Sequence, residues 1–332
     1  MIERPPSHPA VPAPRIGVLL VNLGTPDAPE PGPVRRYLRE FLSDRRVVEI
    51  PSLLWQPILR GIILNTRPKK SAHAYAQVWT DEGSPLAAIT RRQAGALQAA
   101  LGDDVRVSWA MRYGAPAIGG AIDELVGEGC RRILIAPLYP QYCAATTATV
   151  VDAVGAHLAR LRWQPTLRFL PPYHDDPAYI AALAASVEAG VAALDFAPDT
   201  LVASFHGMPE RTLHLGDPYH CQCVKSARLL SEAIGRPVEI AFQSRFGRAK
   251  WLEPATDALL ERLGREGRRV AIFAPGFSAD CLETLEELAI RGKEQFEAAG
   301  GRDFAYLGCL NDTPPGMAML EALVRRELTG WH

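Results

Sequence analysis

The stretch Leu201-Val-Ala-Ser-Phe-His-Gly-Met-Pro209 decides the fold. An apolar run leads directly into a histidine, a glycine and a turn, which is typical of a buried strand of a parallel sheet. A second stretch of the same design begins at Val270 and continues to Glu283. Ligands bind beyond the carboxyl ends of strands in open parallel sheets. We therefore expect His206 and Glu283 at such strand ends, where imidazole and carboxylate can bind a divalent metal or exchange protons.

The order of the strand-end motifs occurs twice along the chain. Each half has a strand ending in x-Gly-x-Pro, one ending in Arg-aromatic-Gly, and one that begins with Arg-Arg and ends with Ala-Pro. These motifs are Asn22-Leu-Gly-Thr-Pro26, Ala110–Gly114 and Arg131–Tyr139 in the first half, and Phe205–Pro209, Gln243–Gly247 and Arg268–Gly276 in the second. Alanine-rich helical stretches separate the strands, which favours parallel sheets. The repeat predicts two related α/β lobes that face each other across a cleft.

The predicted lobes span residues 15–175 and 176–310, and a closing helix over 311–330 packs back on the body. The first lobe is longer because residues 35–84 are inserted between its first two motifs. Within this insertion, the apolar segment Leu53–Leu64 leaves two alternatives open, ordinary packing or a lip over the cleft. We predict the lip, which suits a flat apolar ligand or a membrane surface.

Composition excludes several classes of protein. The chain has 332 residues, of which 48% are hydrophobic, and 36 basic residues nearly balance 37 acidic ones. This balance gives no general attraction to nucleic acid. Segment Leu53–Leu64 is too short and too interrupted to cross a bilayer, and residues 1–14 lack the apolar core of a secretory signal. With six scattered cysteines, we predict a cytoplasmic protein without disulfides.

Several polar residues leave structural and functional alternatives open. Arg112 and Arg245 end matched strands and suit either a buried ion pair or a substrate carboxylate, with substrate favoured for Arg112. Trp251 suits the core or a wall against an aromatic ligand. Ser278 is a candidate helix cap, which explains Asp280 as an acid in the first helical turn. His220-Cys-Gln-Cys223 lacks the ligand set of a structural metal site, so local packing is favoured.

The motifs together resemble those of bacterial ferrochelatases. The residues that carry the resemblance are Asn22-Leu-Gly-Thr-Pro26, Pro140-Gln-Tyr142, Ser204-Phe-His-Gly207, Phe242–Gly247 and Pro275–Leu285, and it covers about residues 15–330. It implies a chelatase-like fold, with two Rossmann-like lobes that contain parallel four-stranded sheets and the active site between them. The implied activity is insertion of Fe(II) into protoporphyrin IX, which releases two protons and completes haem synthesis.

The resemblance also assigns residues to roles. His206 and Glu283 become the catalytic pair and the metal ligands, and Asp280 and Glu287 are expected beside them. Porphyrin contacts are expected from Leu23, Tyr75, Ser84, Arg112, Tyr142 and Trp251. Fe(II) and protoporphyrin IX are the expected partners, both as substrates. A peripheral contact of residues 53–64 with the inner face of a membrane is an open alternative to a purely cytoplasmic location.

Three departures from the family pattern shape these expectations. Ala144 stands at a cluster-cysteine position and the chain ends at His332 without a cysteine-rich extension, so no [2Fe–2S] cluster and no permanent cofactor are predicted. Leu23 replaces a tyrosine of members that act on coproporphyrin, which favours protoporphyrin. Arg291 interrupts the acidic ladder beyond Glu287. The alternatives are a chelatase that inserts cobalt or nickel into sirohydrochlorin or coproporphyrin, and a non-catalytic haem-binding module.

Overall fold

A computed structural model describes residues 14–247 and 249–331 of the chain. The residues 1–13, in which we predict no secretory signal, lie outside this description. Two parallel sheets of four strands form the framework, in the orders β2-β1-β3-β4 and β6-β5-β7-β8. The strands are β1 (Arg15–Gly24), β2 (Val105–Tyr113), β3 (Cys130–Pro137), β4 (Thr166–Phe169), β5 (Thr200–His206), β6 (Val238–Gln243), β7 (Val270–Phe273) and β8 (Phe304–Leu307). The two sheets share one topology, which confirms the prediction of two duplicated α/β lobes.

Helices connect the strands and cover both sheets. They are α1 (Pro31–Ser43), α2 (Ser52–Ile58), α3 (Leu64–Val78), α4 (Pro85–Leu101), α5 (Ile118–Gly127), α6 (Thr149–Leu158), α7 (Pro177–Ala192), α8 (Glu210–His214), α9 (Tyr219–Ile234), α10 (Thr256–Arg265), α11 (Leu282–Thr284), α12 (Lys293–Ala298) and α13 (Pro314–Leu328). Three π-helical segments occur at Leu59–Ile63, Ala144–Ala148 and Leu285–Gly292. The last of these directly follows Glu283.

Apolar side chains dominate the centre of each sheet because both faces are covered by helices. β1 lies between β2 and β3, and β5 lies between β6 and β7. Val202 and Phe205 of β5 have no exposed surface, as expected for a central parallel strand. In the register of β5 with β6, His206 lies opposite Gln243. The polar residues therefore begin where the buried strands end.

Buried hydrogen bonds join the two lobes. The side-chain Nε2 of Gln141 donates to the hydroxyl of Ser226 at 3.0 Å. The hydroxyl of Ser278 donates to the carbonyl of Leu138 at 2.5 Å, instead of capping a helix as predicted. The helix begins at Leu282, after Cys281, because Ser278 is already engaged between the lobes. The lobe boundaries at 175 and 310 stay predictions.

The insertion folds as the second part of α1 together with α2, α3 and the π-helical turn between them. Its helix α3 contacts α11 and the π-helical segment that follows α11, so the insertion reaches the second lobe beside Glu283. The closing helix α13 packs on α7, α4 and β3. Among the described residues, every helix is too short or too polar to cross a bilayer.

Candidate active site

His206 is the last residue of β5 and is partly exposed at the carboxyl edge of the second sheet. Its ring Nδ1 lies 2.7 Å from the carbonyl oxygen of Gly207. Since a carbonyl oxygen only accepts, this contact requires a proton on Nδ1 and leaves Nε2 as the free lone pair of the neutral ring. The main-chain oxygen of His206 accepts a bond from the hydroxyl of Tyr219 at 3.0 Å, which fixes the strand end.

Gln243 connects the strand end of His206 to Glu283. It lies opposite His206 in the sheet, and its Nε2 donates to the carbonyl oxygen of Glu283 at 2.6 Å. Its Oε1 accepts a bond from the hydroxyl of Ser204 at 2.8 Å. Only 2% of Gln243 is exposed, so both bonds form away from water. The buried amide therefore fixes the backbone of Glu283 relative to the strand that carries His206.

The charge of Glu283 acts on two tyrosines of the insertion. Burial raises the pKa of Tyr75 well above its ordinary value, and the charge of Glu283 raises it further. The pKa of Tyr37 is raised in the same way, first by burial and then by the charges of neighbouring groups that include Glu283. Both phenols stay protonated as a result. The insertion thus contributes two neutral phenols on which the charge of Glu283 acts.

Trp251 lies against the residue that follows His206. A Cβ atom added to Gly207 would come within 3.3 Å of Cε3 of the Trp251 ring and 2.5 Å of the carbonyl oxygen of Gln243. Position 207 therefore requires glycine, because a side chain would displace either the ring or the strand. Trp251 is partly exposed, and so is Leu23 at the end of β1. Two predicted walls of the cleft thus present apolar surface, one from each lobe.

Arg112 forms a shielded ion pair with Asp44. Its Nη2 donates to Oδ2 of Asp44 at 2.5 Å, and its Nε donates to the carbonyl of Thr149 at 2.8 Å. The hydroxyl of Tyr113 donates to the same carboxylate oxygen at 3.0 Å. Of the two alternatives that the sequence leaves open, this arrangement matches the ion pair. Contact of Arg112 with a substrate carboxylate stays a prediction, and such a carboxylate would compete with Asp44.

The other predicted porphyrin contacts, Tyr75, Ser84 and Tyr142, all belong to the first lobe. Tyr142 follows β3, is partly exposed, and its main-chain N–H donates to Oε1 of Gln222 at 2.7 Å. Tyr75 and Ser84 are buried, and Ser84 is the residue immediately before α4. Arg245 is exposed and pairs with Asp257 at 2.9 Å.

Asp280 and Glu287 hold the backbone around Glu283. Asp280 accepts bonds from the hydroxyl of Tyr306 at 2.6 Å and from Nδ2 of Asn311 at 2.6 Å. Glu287 accepts bonds from the main-chain N–H of Ser244 at 2.7 Å and from its hydroxyl at 2.5 Å. Ser244 has a φ of 66°, a strained region for a non-glycine residue, and the carboxylate compensates by fixing it.

A pocket of about 920 Å³ opens beside the insertion. Tyr37, Arg39 and Gly114 belong to its walls, whereas His206 and Glu283 do not. His206, the ring of Trp251 and the Gln243 amide that binds the Glu283 backbone lie instead at the carboxyl edge of the second sheet.

In the described ranges, no group of three or more His, Cys, Asp or Glu side chains is arranged to hold a metal ion. The sequence model of the ferrochelatase family matches residues 15–328. The chain belongs to the ferrochelatase family. It is accordingly an enzyme, a metal chelatase that inserts iron into protoporphyrin in haem synthesis, and the alternatives from the sequence are not favoured.

Curated relatives match over nearly the full length. The ferrochelatase of Rhizobium meliloti is 55% identical, with 98% of each chain covered. The ferrochelatase of Agrobacterium fabrum is 54% identical over 98% of this chain and 97% of its own. The ferrochelatase of Azoarcus sp. is 55% identical over 96% of this chain and 89% of its own.

Solved structures of lower identity share the fold. SirB from Bacillus subtilis with Fe3+ superposes with a TM-score of 0.58 at 13% identity, over 96% of this chain and 97% of its own. DR2241 from Deinococcus radiodurans gives a TM-score of 0.52 at 14% identity, over 94% of this chain and 55% of its own. These likenesses confirm the chelatase-like architecture.

Sequence reasoning missed three residues that the structure brings to this edge. The sequence motif that contains Gln243 assigns this residue no role, although an amide at the end of an apolar strand indicates a buried hydrogen-bonding residue. Tyr37 belongs to one face of α1 and gives no local signal. Arg67 of α3 places its guanidinium carbon 5.4 Å from the ring centroid of Phe246, and no carboxylate among the described residues forms an ion pair with it.

Proposed function

We propose that His206 and Glu283 together carry the insertion of Fe(II) into protoporphyrin IX. The observation that supports this is the buried amide of Gln243, which ties the backbone of Glu283 to the strand that ends at His206. One neutral imidazole and one carboxylate offer Fe(II) two ligands. Two ligands hold a metal weakly enough for transfer to the four nitrogens of a porphyrin.

The reaction exchanges one metal ion for two protons. Protoporphyrin loses the protons of its two pyrrole N–H groups as Fe(II) binds all four nitrogens. The free Nε2 of His206 can accept one of these protons, and the carboxylate of Glu283 can accept or relay the other. Either residue can take the first proton and either can guide the metal, because imidazole and carboxylate both bind protons and metal ions.

The walls of the cleft supply the distortion that the reaction needs. In a flat porphyrin the N–H protons lie within the plane and block the metal. Leu23 and Trp251 present apolar surface from opposite lobes, and Tyr75 belongs to helix α3 of the insertion, which contacts α11. Binding of the macrocycle between these walls can hold a pyrrole ring tilted, at a cost of about 1–5 kcal/mol that the remote contacts offset. Arg67, which has no carboxylate partner among the described residues, can bind a propionate group of the porphyrin.

The deciding experiment separates metal insertion from porphyrin binding. His206→Ala should reduce anaerobic Fe(II) insertion by at least about 100-fold, while protoporphyrin still binds with a Kd close to wild type. His214→Ala is the matched control because His214 is exposed on α8. Substantial turnover by His206→Ala would contradict the assignment.

We also propose that the insertion touches a membrane surface. Leu53 is 91% exposed and Leu54 is 64% exposed, and Ile50, Ile58 and Ile62 extend the same apolar patch. Contiguous exposed apolar patches of this kind mark interaction surfaces, whereas single exposed apolar residues do not. Flotation with anionic vesicles should recover the wild type, and Leu53→Ser/Leu54→Ser should abolish recovery. Leu215→Ser, at another exposed leucine, should leave it unchanged; equal recovery of all three proteins would refute the contact.

We further propose a protein without an iron–sulfur cluster. Ala144 offers no thiolate, and burial raises the pKa of the neighbouring Cys143 thiol well above its ordinary value, which opposes the thiolate that a cluster requires. Purified protein should contain no acid-labile sulfide. Two sulfides per chain with a visible charge-transfer spectrum would contradict this expectation.

A further inference from the structure

Phe246 is an exposed aromatic residue that contacts Trp251 in two ways. It belongs to the loop after β6, and 52% of its surface is exposed. Its ring centroid lies 5.2 Å from that of Trp251, and its carbonyl oxygen accepts the indole N–H of Trp251 at 3.0 Å. An exposed phenylalanine buries little apolar surface in the core. The contact with Trp251 is therefore the main described contact of the Phe246 ring with its own lobe.

Trp251 connects Phe246 to the turn that follows the strand of His206. The residue pairs with Pro209 in an isolated antiparallel bridge. Its ring lies against Gly207, as the 3.3 Å approach to a Cβ built at that position shows. The orientation of the Trp251 ring therefore depends on Phe246 on one side and on the turn after His206 on the other.

Arg67 covers Phe246 from the insertion. The guanidinium carbon lies 5.4 Å from the ring centroid, within the range of a cation–π interaction. Burial lowers the pKa of Arg67, as expected for a buried cation that forms no ion pair within residues 14–247 and 249–331. The series Arg67–Phe246–Trp251 thus runs from the insertion to the wall beside His206.

A separate contact joins the insertion to the second lobe. Glu49 forms an ion pair with Arg211 of α8, and both side chains are exposed. This pair does not involve Trp251. It therefore offers a control that changes the attachment of the insertion without changing the aromatic wall.

We propose that Phe246 is a positioning residue of this enzyme, which fixes the ring of Trp251 against Gly207 and, through Arg67, holds the insertion beside that ring. The inference rests on the proposed function, since it takes the porphyrin to bind against Trp251. Phe246 should therefore govern porphyrin affinity, whereas the rate of metal insertion from the bound state depends on His206 and Glu283.

The size of the effect follows from the two ring interactions. An aromatic pair and an exposed cation–π contact each change an equilibrium by about two- to tenfold. Phe246→Leu removes both and keeps the carbonyl that accepts the indole N–H. We expect the Kd and KM for protoporphyrin to rise about tenfold, with kcat and the KM for Fe(II) within about twofold of wild type.

The test compares three variants in fluorescence titrations with protoporphyrin and in steady-state assays. Phe246→Leu should weaken porphyrin binding, Phe246→Tyr should restore it because the ring is retained, and Arg211→Gln should leave it unchanged. Urea midpoints close to wild type would verify folding, and Phe246→Met serves as a second ring-free variant should Leu fail to fold. An unchanged Kd in the ring-free variants, or a loss that Tyr does not restore, overturns the proposal alone. Wild-type protein that does not bind protoporphyrin overturns the proposed function as well.

Discussion

Gln243→Leu is the most direct perturbation of the catalytic framework. The side chain is almost fully buried, and each end of its amide makes one hydrogen bond. Leucine has a similar size but neither donor nor acceptor. The hydroxyl of Ser204 keeps a second partner, Thr256 at 2.8 Å, so it is not left unpaired. The carbonyl of Glu283 loses the described donor that holds it.

The expected cost is set by that carbonyl. Losing the hydrogen bond to this part-buried carbonyl costs about 1–3 kcal/mol, and the lost Ser204 bond adds about 1 kcal/mol. The free energy of unfolding should therefore fall by about 2–4 kcal/mol. Glu283 should also become less well positioned, because a displacement of about 1 Å in a catalytic group can reduce the rate about 100-fold. Urea unfolding and anaerobic Fe(II) insertion at saturating porphyrin measure the two effects.

A matched control is available at Gln164. Its Nε2 also donates to a main-chain carbonyl, that of Leu158 at 2.8 Å, but the residue is exposed. Water replaces the lost bond there, so Gln164→Leu should change the unfolding free energy by less than about 0.5 kcal/mol. If Gln243→Leu is as stable and as active as this control, the buried amide does not hold the site together.

Three further predictions concern single groups. Glu283→Gln keeps the side-chain shape and removes the charge, so kcat should fall about 100-fold with an unchanged Kd for protoporphyrin; a near-normal kcat would exclude an essential role. Burial lowers the pKa of His174, and its Nδ1 has no partner among the described residues, so the unfolded state binds the proton more readily. The free energy of unfolding should then fall as pH drops below about 6.5. In His174→Gln, the difference between the urea midpoints at pH 7.5 and pH 5 should be smaller than in the wild type. Cys221 is exposed, while the other five cysteines are buried. A thiol reagent should therefore modify one thiol rapidly in the wild type and none rapidly in Cys221→Ser. Rapid modification of several thiols would contradict the burial of the other cysteines.

The strand ends were predictable because their signals are local. An apolar run followed by His206 and Gly207 indicates a parallel strand and its carboxyl end from a few consecutive residues. The helix after Asp280 was also recognisable, but its first residue was misplaced. Ser278 has the composition of a cap, and only the contact with Leu138 of the other lobe shows why it does not act as one.

The contacts that build the site were not predictable in the same way. Arg112 and Asp44 are 68 residues apart, and Gln243 and Glu283 are 40 apart. No periodicity links such pairs, because their distance is set by the packing of a helix or loop on a sheet rather than by the chain between them. The same holds for Arg67 and Phe246, which meet only because the insertion folds toward the second lobe.

By itself, the sequence determined the alternating strands and helices, their duplication, and the side chains that end each strand. These properties follow from hydrophobic periodicity and turn residues, which act over a few positions. Tertiary structure alone decided that Arg112 faces Asp44, that the charge of Glu283 acts on Tyr37 and Tyr75, and that Phe246 packs against Trp251. The physical reason is that a side chain's partner, and hence its charge state and its freedom to bind a substrate, depends on which distant surface is packed against it.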